Sequence, residues 1–160
     1  QWMTIITYIP SQMGQVKPIY TDLFSQKDFK KLKKIFLNIT ATSIILVVPI
    51  VLFGIVFGKH ILNFYGQGYE SGYLTFVLLM VTAFLITLQS QVGAILESIG
   101  KMWIGFMLNF VWSILIIFVF YYFRNYGSVG YAIAYCVAYG VHNVLSYIMI
   151  YHMWKRRGQL

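Results

Sequence analysis

The chain has 160 residues, of which 59% are hydrophobic and only 10% are charged, and its net charge is +8. So few polar residues cannot cover the surface of a water-soluble globule of this size. An excess of basic residues is also typical of nucleic-acid-binding proteins, but here these residues flank apolar segments, and no nucleic-acid-binding motif is present. We therefore predict a membrane protein whose partners include membrane lipids and no nucleic acid.

The chain opens inside an apolar stretch and shows no signal-peptide pattern. Residues 1–17 are predicted to be the end of a membrane-spanning helix whose first turns precede this sequence. Pro18 is predicted to end that helix, because proline interrupts helical hydrogen bonding. We therefore expect the sequence to be the C-terminal part of a longer protein, with the remainder of its own chain as a partner.

A basic segment follows at residues 21–35. Ser25 and Asp28 have the spacing of a helix-capping box. Three apolar residues, Phe29, Leu32 and Phe36, then fall on one helical face. Four lysines lie on the opposite face. This pattern predicts an amphipathic helix that lies on the cytoplasmic surface of the membrane. The alternative is a basic patch that binds a protein partner.

Four apolar runs come next, each with the length of about 20 residues that a helix needs to cross roughly 30 Å of hydrocarbon. They predict membrane-spanning helices at residues 36–57, 73–97, 102–123 and 129–153. When successive connections are assigned to alternate sides, all but two of the twelve Lys and Arg residues fall on one side. The positive-inside rule makes that side the cytoplasm and places the C-terminal tail, residues 154–160, there.

Polar residues within the spans are candidates for lining a substrate pathway, since such residues are costly in lipid unless they face a cavity or another helix. Four of them are candidates: Gln89, Gln91, Asn109 and His142. Gln89 and Gln91 point about 200° apart around a helix, so they cannot share one cavity. Gln89 shares a face with Thr75 and Thr82 and is the better cavity candidate, whereas Gln91 is predicted to hydrogen-bond to a neighbouring helix.

Glu97 is the single acidic residue in a predicted span, and it lies near the cytoplasmic end. Lys101 follows four residues later, a spacing that predicts an ion pair within one helix. The other acidic residues fall in predicted loops: Asp22, Asp28 and Glu70. Paired catalytic carboxylates, nucleophile motifs, phosphate-binding loops and metal-ligand clusters are all missing from the sequence. We therefore expect a protein that is not an enzyme and that uses no metal or cofactor.

The last span carries a row of small residues spaced four apart, Gly130, Ala134 and Ala138, which predicts close helix packing. Five different short motifs also lie near the predicted helix ends, at residues 16–20, 27–32, 57–66, 95–101 and 127–134. In order and spacing, these motifs resemble the C-terminal lobe of polysaccharide (O-antigen type) flippases of the multidrug/oligosaccharidyl-lipid/polysaccharide exporter superfamily. The resemblance covers essentially the whole chain.

The resemblance implies an all-α, polytopic transmembrane helical bundle that forms part of a two-lobe, MATE-like carrier fold. The two lobes of such carriers rock to expose a central cavity to each side in turn. The implied substrate is an undecaprenyl-pyrophosphate-linked oligosaccharide, moved across the bacterial plasma membrane for polysaccharide biosynthesis. A drug or cation antiporter of the same superfamily and a non-transporting scaffold of a glycan-assembly complex are the alternatives.

Overall fold

The computed structural model describes residues 16–157 together with Thr4, Ile6 and Tyr8, which are helical. Most of the predicted helix at residues 1–17 and the end of the predicted tail at residues 154–160 therefore lie outside the described residues. The described part of the chain is all-helical. Within residues 16–157 five α-helices follow one another: α1 (Lys17–Ser25), α2 (Phe29–Phe64), α3 (Tyr73–Ser98), α4 (Met102–Phe123) and α5 (Gly127–Arg157), with 3-10 turns at Tyr69–Gly72 and Arg124–Tyr126.

The prediction that Pro18 ends a helix was wrong, because α1 begins at Lys17 and continues through Pro18. Pro18 lies in the first turn of α1, where a missing backbone N–H costs nothing and the fixed φ of proline favours the helix. Tyr20 of this short helix is fully buried. Its burial, and then the proximity of Tyr147, raises the pKa of the Tyr20 phenol to about 12.

The predicted capping box, which makes Ser25 the N-cap of the helix, was wrong. Asp28 is itself the N-cap of α2, and its carboxylate accepts a hydrogen bond of 2.9 Å from the backbone N–H of Lys31. Ser25 instead donates to the carbonyl of Asp22 at 2.7 Å. The chain turns between α1 and α2 at Lys27, whose φ of 59° ends the first helix before the second begins.

The predicted boundary between a surface helix at residues 21–35 and a span at residues 36–57 is absent from the structure. Helix α2 runs without interruption for 36 residues, a length of about 54 Å. Leu32 and Phe36 of the predicted lipid-facing stripe are 2% and 0% exposed. They pack in a core cluster with residues of α1, α3 and α5, because burial against other helices satisfies an apolar stripe as well as lipid does.

Helices α2 and α3 pack antiparallel. Gly54 lies beside Met80, whereas Gly58, one turn further along α2, lies beside Phe76, one turn earlier in α3. The hydroxyl of Tyr73 donates a 2.9 Å hydrogen bond to the carbonyl of Ile55 at the same end of the pair. The small glycine surface thus allows the two backbones to approach closely.

Helix α5 packs parallel to α3 and antiparallel to α4. Thr75 and Ser128 share a 3.1 Å hydrogen bond near the starts of α3 and α5, and Asn143 donates to the carbonyl of Leu85 at 3.0 Å further along both. The aromatic contacts of α5 with α4 run the opposite way, at Trp112–Tyr139 and Phe120–Tyr131. Across the bundle the order is therefore α2, α3, α5, α4.

Three segments are long and apolar enough to cross a membrane: Phe29–Phe64, Tyr69–Ser98 and Met102–Lys155. The third contains both α4 and α5, which the 3-10 turn at Arg124–Tyr126 separates. Because these two helices lie side by side in opposite directions, the segment supplies two apolar helices. Helix α4 has no buried residue, so most of its surface is available for lipid or for other parts of the full protein.

The predicted orientation in the membrane can be tested at the two ends of α2. Lys31 and Gln67 are exposed, and one lies in the first turn of α2 and the other beyond its end. We expect a cysteine at Lys31 to react with a membrane-impermeant thiol reagent from the cytoplasmic side alone, and a cysteine at Gln67 from the outside alone. Labelling of the Gln67 cysteine from the cytoplasm would reverse the orientation derived from the charges.

Candidate functional site

A cleft with both polar and apolar lining residues lies between α3, α4 and α5, with a volume of about 220 Å³. We call it the inter-helix cleft. Its polar and aromatic lining comes from all three helices: Gln89 and Ser90 from α3, Asn109 and Trp112 from α4, and Tyr139 and His142 from α5. Polar groups at this position in a helical bundle are typical of ligand sites between helices.

The connection between α3 and α4 explains why a space is left beside them. The α3 C-terminus ends in a tight turn, in which Lys101 N–H donates to the carbonyl of Leu96 at 2.8 Å and Gly100 N–H donates to that of Glu97 at 3.1 Å. This turn requires a positive φ, which is 70° at Gly100. Past the turn α4 packs mainly on α5 rather than on α3. Gly93 and Gly105, which also line the cleft, add no side chains to fill it.

Gln89 and His142 contact each other inside the cleft. The amide Nε2 of Gln89 lies 3.3 Å from Nε2 of the imidazole. When the amide donates this hydrogen bond, the ring proton of His142 lies on Nδ1. His142 is 3% exposed, so this contact holds a buried imidazole of α5 against α3.

Three side chains in the lining of the cleft each carry a buried polar atom that has no hydrogen-bond partner within the described part of the chain. These atoms are Gln89 Oε1, Trp112 Nε1 and His142 Nδ1. A buried polar atom that lacks a partner costs about 1–3 kcal/mol, and these three come from the three helices that line the cleft. The amide oxygen of Gln89 is an acceptor and the indole N–H of Trp112 is a donor, and Nδ1 of His142 is a donor when the Gln89 amide donates to Nε2.

Aromatic rings form one wall of the cleft. The indole of Trp112 packs edge-on against Tyr139, with ring centroids 5.1 Å apart, and its centroid is 6.5 Å from that of His142. Such contacts hold the rings in place and present both apolar surface and polar edges. A ligand with apolar faces and hydroxyl groups matches this combination.

The structure brings three of the four predicted pathway residues to the inter-helix cleft: Gln89, Asn109 and His142. Asn109 is exposed and lies at the rim. Gln91 lies elsewhere, 1% exposed, with its Nε2 3.4 Å from Ser43 Oγ on α2. Gln91 therefore joins α3 to α2 on the side of α3 away from the cleft.

Sequence reasoning did not select Trp112 or Asn143. Trp112 lies near the middle of α4, away from the membrane interfaces where tryptophan concentrates, and that position was the available signal. The side-chain amide of Asn143 donates to the carbonyls of Leu85 and Tyr139, at 3.0 and 2.8 Å. Asn143 thereby links α5 to α3 beside the cleft and supports His142, the preceding residue.

The predicted ion pair between Glu97 and Lys101 was wrong. Glu97 pairs with Lys17 of α1, and both side chains are about half exposed. The hydroxyl of Thr21 also contacts the carbonyl of Ser98, at 3.3 Å. Lys101 lies in the turn after the end of α3. It therefore lacks the helical geometry that brings residues four apart onto one face. The effect of the Lys17 pair is to attach α1 to the end of α3.

No protein-family model matches the chain, and no curated protein matches it. A solved structure described as "Crystal structure of MATE in complex with MaL6" matches with a TM-score of 0.76 at 13% sequence identity. The match covers 99% of this chain and 40% of that one. The chain has a MATE-like fold. The predicted all-α transmembrane bundle of a MATE-like carrier fold is therefore confirmed, and the chain spans about 40% of the length of the protein that it matches.

Proposed function

We propose that this chain is part of a membrane carrier that flips an undecaprenyl-pyrophosphate-linked oligosaccharide across the bacterial plasma membrane by alternating access. The MATE-like fold supports the carrier part of the proposal. The chemistry of the inter-helix cleft supports the class of substrate. In this proposal the protein transports its substrate without chemical change and is not an enzyme. This part of the chain works together with the remainder of the full-length protein, and its C-terminus lies in the cytoplasm.

The observation that carries the substrate class is the uncharged, hydrogen-bonding character of the cleft. Gln89, Ser90 and Asn109 place uncharged polar groups in the lining, and Tyr139 and Trp112 add aromatic surface. A sugar ring has hydroxyl groups at its edge and C–H groups on its faces, so both parts of the cleft have a matching partner on it.

The size of the cleft limits how much of the substrate it holds. Its volume of about 220 Å³ is below the roughly 300–1,000 Å³ of sites that enclose a drug-sized ligand. It therefore binds a small part of the oligosaccharide, and the other contacts come from the remainder of the full-length chain. The lipid pyrophosphate binds outside the cleft, since no cationic side chain lines it.

A drug or cation antiporter has the same fold and is the second candidate. Acidic residues within the spans are typical sites of coupling to a proton or another cation. Among the helices α2 to α5, Glu97 alone is acidic, and it lies at the end of α3, half exposed and paired with Lys17. The described part of the chain therefore offers an antiporter no coupling carboxylate in mid-span, and transport assays separate the two candidates.

The proposal can be tested in cells with the full-length gene. We expect it to restore surface polysaccharide in a bacterial strain that lacks its own O-antigen flippase and carries a matching glycan pathway. We also expect no increase in resistance to a lipophilic cationic dye in a strain that lacks its efflux pumps. Dye resistance without polysaccharide export would support the antiporter, and neither activity at normal abundance would support a scaffold of glycan assembly.

A further inference from the structure

A second groove lies where the first turns of α2 meet the last turns of α5, and we call it the basic groove. Its volume is about 370 Å³, and it is lined by Phe29, Lys30, Lys33, Tyr151, Trp154 and Lys155. The three lysines are exposed, and they come from helices that are far apart in the sequence. The lining contains no acidic residue, so the groove has a positive charge that its own residues do not neutralise.

Aromatic contacts hold the floor of the basic groove in place. The ring of Trp154 packs edge-on against Phe36, with centroids 5.2 Å apart, and Phe36 is fully buried in the core. The ammonium of Lys33 lies 5.6 Å from the centre of the Trp154 ring, within cation–π distance. The tryptophan and the lysine are thus positioned before any ligand arrives.

The acidic residue that is nearest in sequence does not compete for these lysines. Asp28 precedes the groove residue Phe29, but its carboxylate accepts the backbone N–H of Lys31 as the cap of α2. Neutralisation of Lys30, Lys33 and Lys155 therefore requires an anion from outside the described part of the chain. Charge complementarity points to a phosphate, because three ammonium groups can share its oxygens through charge-assisted hydrogen bonds.

The position of the groove along the helices identifies the source of that phosphate. Helix α2 has 36 residues, so at about 54 Å it exceeds the roughly 30 Å of bilayer hydrocarbon, and its lysine-rich first turns extend into the headgroup layer. Tyr151 and Trp154 precede Lys155 on α5, an order typical of a membrane interface, where aromatic rings lie beside the headgroups.

We propose that the basic groove is a binding site for the phosphate headgroup of an anionic phospholipid, of the phosphatidylglycerol type. Lys30, Lys33 and Lys155 bind the phosphate, and Tyr151 and Trp154 lie against the glycerol and the start of the acyl chains. The site fastens the start of α2 to the end of α5. This proposal applies whatever substrate the carrier moves, and it is therefore independent of the proposed function.

The test measures the thermal stability of the full-length protein in neutral detergent while phosphatidylglycerol or phosphatidylcholine is added. We expect phosphatidylglycerol alone to raise the melting temperature of the wild type. In the triple variant Lys30→Gln, Lys33→Gln, Lys155→Gln, we expect the phosphatidylglycerol concentration for half-maximal stabilisation to rise by more than about tenfold, because each lysine loses a charge-assisted hydrogen bond to the phosphate.

The matched control is the triple variant Lys27→Gln, Lys31→Gln, Lys34→Gln, which removes the same charge at the same end of the protein but outside the groove. It should keep its response to phosphatidylglycerol within about threefold of the wild type, because charges outside the site act through screened attraction. An equal loss of phosphatidylglycerol stabilisation in both triple variants would show general attraction to a basic surface and would overturn the proposed site.

Two further additions separate the possible sources of phosphate. Inorganic phosphate at the same concentrations should leave the melting temperature unchanged, because it lacks the acyl chains that hold the headgroup at the groove. Undecaprenyl pyrophosphate should stabilise the wild type and the groove variant equally. A loss of its effect in the groove variant, with phosphatidylglycerol inactive on the wild type, would assign the groove to the carried lipid and overturn the phospholipid proposal.

Discussion

Replacing Gly130 with alanine is expected to destabilise the protein by about 1–3 kcal/mol or more, as overpacking of a close contact does. A Cβ atom at Gly130 would overlap the carbonyl oxygen of Phe123 and would come within 2.8 Å of its carbonyl carbon. These are backbone atoms at the end of α4, so no side-chain rotation relieves the clash. The measurement is the melting temperature of the full-length protein in detergent.

Gly140 on the same helix provides the control, since a Cβ there meets no atom within 4 Å. Alanine favours a helix over glycine by about 1 kcal/mol, so Gly140→Ala should keep or raise the melting temperature. The two identical substitutions on α5 therefore have opposite expected signs. A Gly130→Ala variant that melts at or above the wild-type temperature would show that α4 and α5 are not joined as the structure has them.

Replacing Gln89 with leucine is expected to reduce export of surface polysaccharide by about tenfold at normal protein abundance, since a lost polar contact to a bound ligand is worth about 1–3 kcal/mol. The change removes the Oε1 acceptor and also the hydrogen bond that orients His142. The measurement is surface polysaccharide per unit of full-length carrier, in the flippase-deficient strain.

Gln91→Leu is the matched control, because it makes the same chemical change two residues along α3 but outside the cleft. Gln91 faces Ser43 on α2, so we expect this variant to lower stability while export per molecule stays at the wild-type level. Full export by a stable, normally abundant Gln89→Leu variant would remove the transport role of the cleft and leave Gln89 as a packing residue.

Much of the fold follows from patterns that are local in the sequence. The length of the apolar runs predicted the helices, and the row of Gly130, Ala134 and Ala138 is buried along α5 as predicted. The angle of about 200° between Gln89 and Gln91 around the helix also predicted that the two side chains face different neighbours. These features depend on helical geometry alone, which a single sequence carries.

The features that the sequence could not reveal depend on which helices become neighbours. Lys17 and Glu97 are 80 residues apart, and Gln89 and His142 are separated by 53, so no local spacing indicates either contact. The length of α2 was missed for a similar reason. Its apolar stripe at Leu32 and Phe36 would suit a lipid surface and a helix core equally well, and the positions of α3 and α5 decide between them.

The most direct test of the proposed carrier is reconstitution of the purified full-length protein into liposomes that contain a fluorescent undecaprenyl-pyrophosphate-linked oligosaccharide. Accessibility of the glycan to a membrane-impermeant modifying enzyme reports its movement between leaflets. We expect the wild type to move the glycan faster than protein-free liposomes do, and the Gln89→Leu protein to move it about tenfold more slowly than the wild type. Glycan movement no faster than in protein-free liposomes, together with proton- or sodium-dependent transport of a cationic dye, would contradict the proposal and make the protein an antiporter.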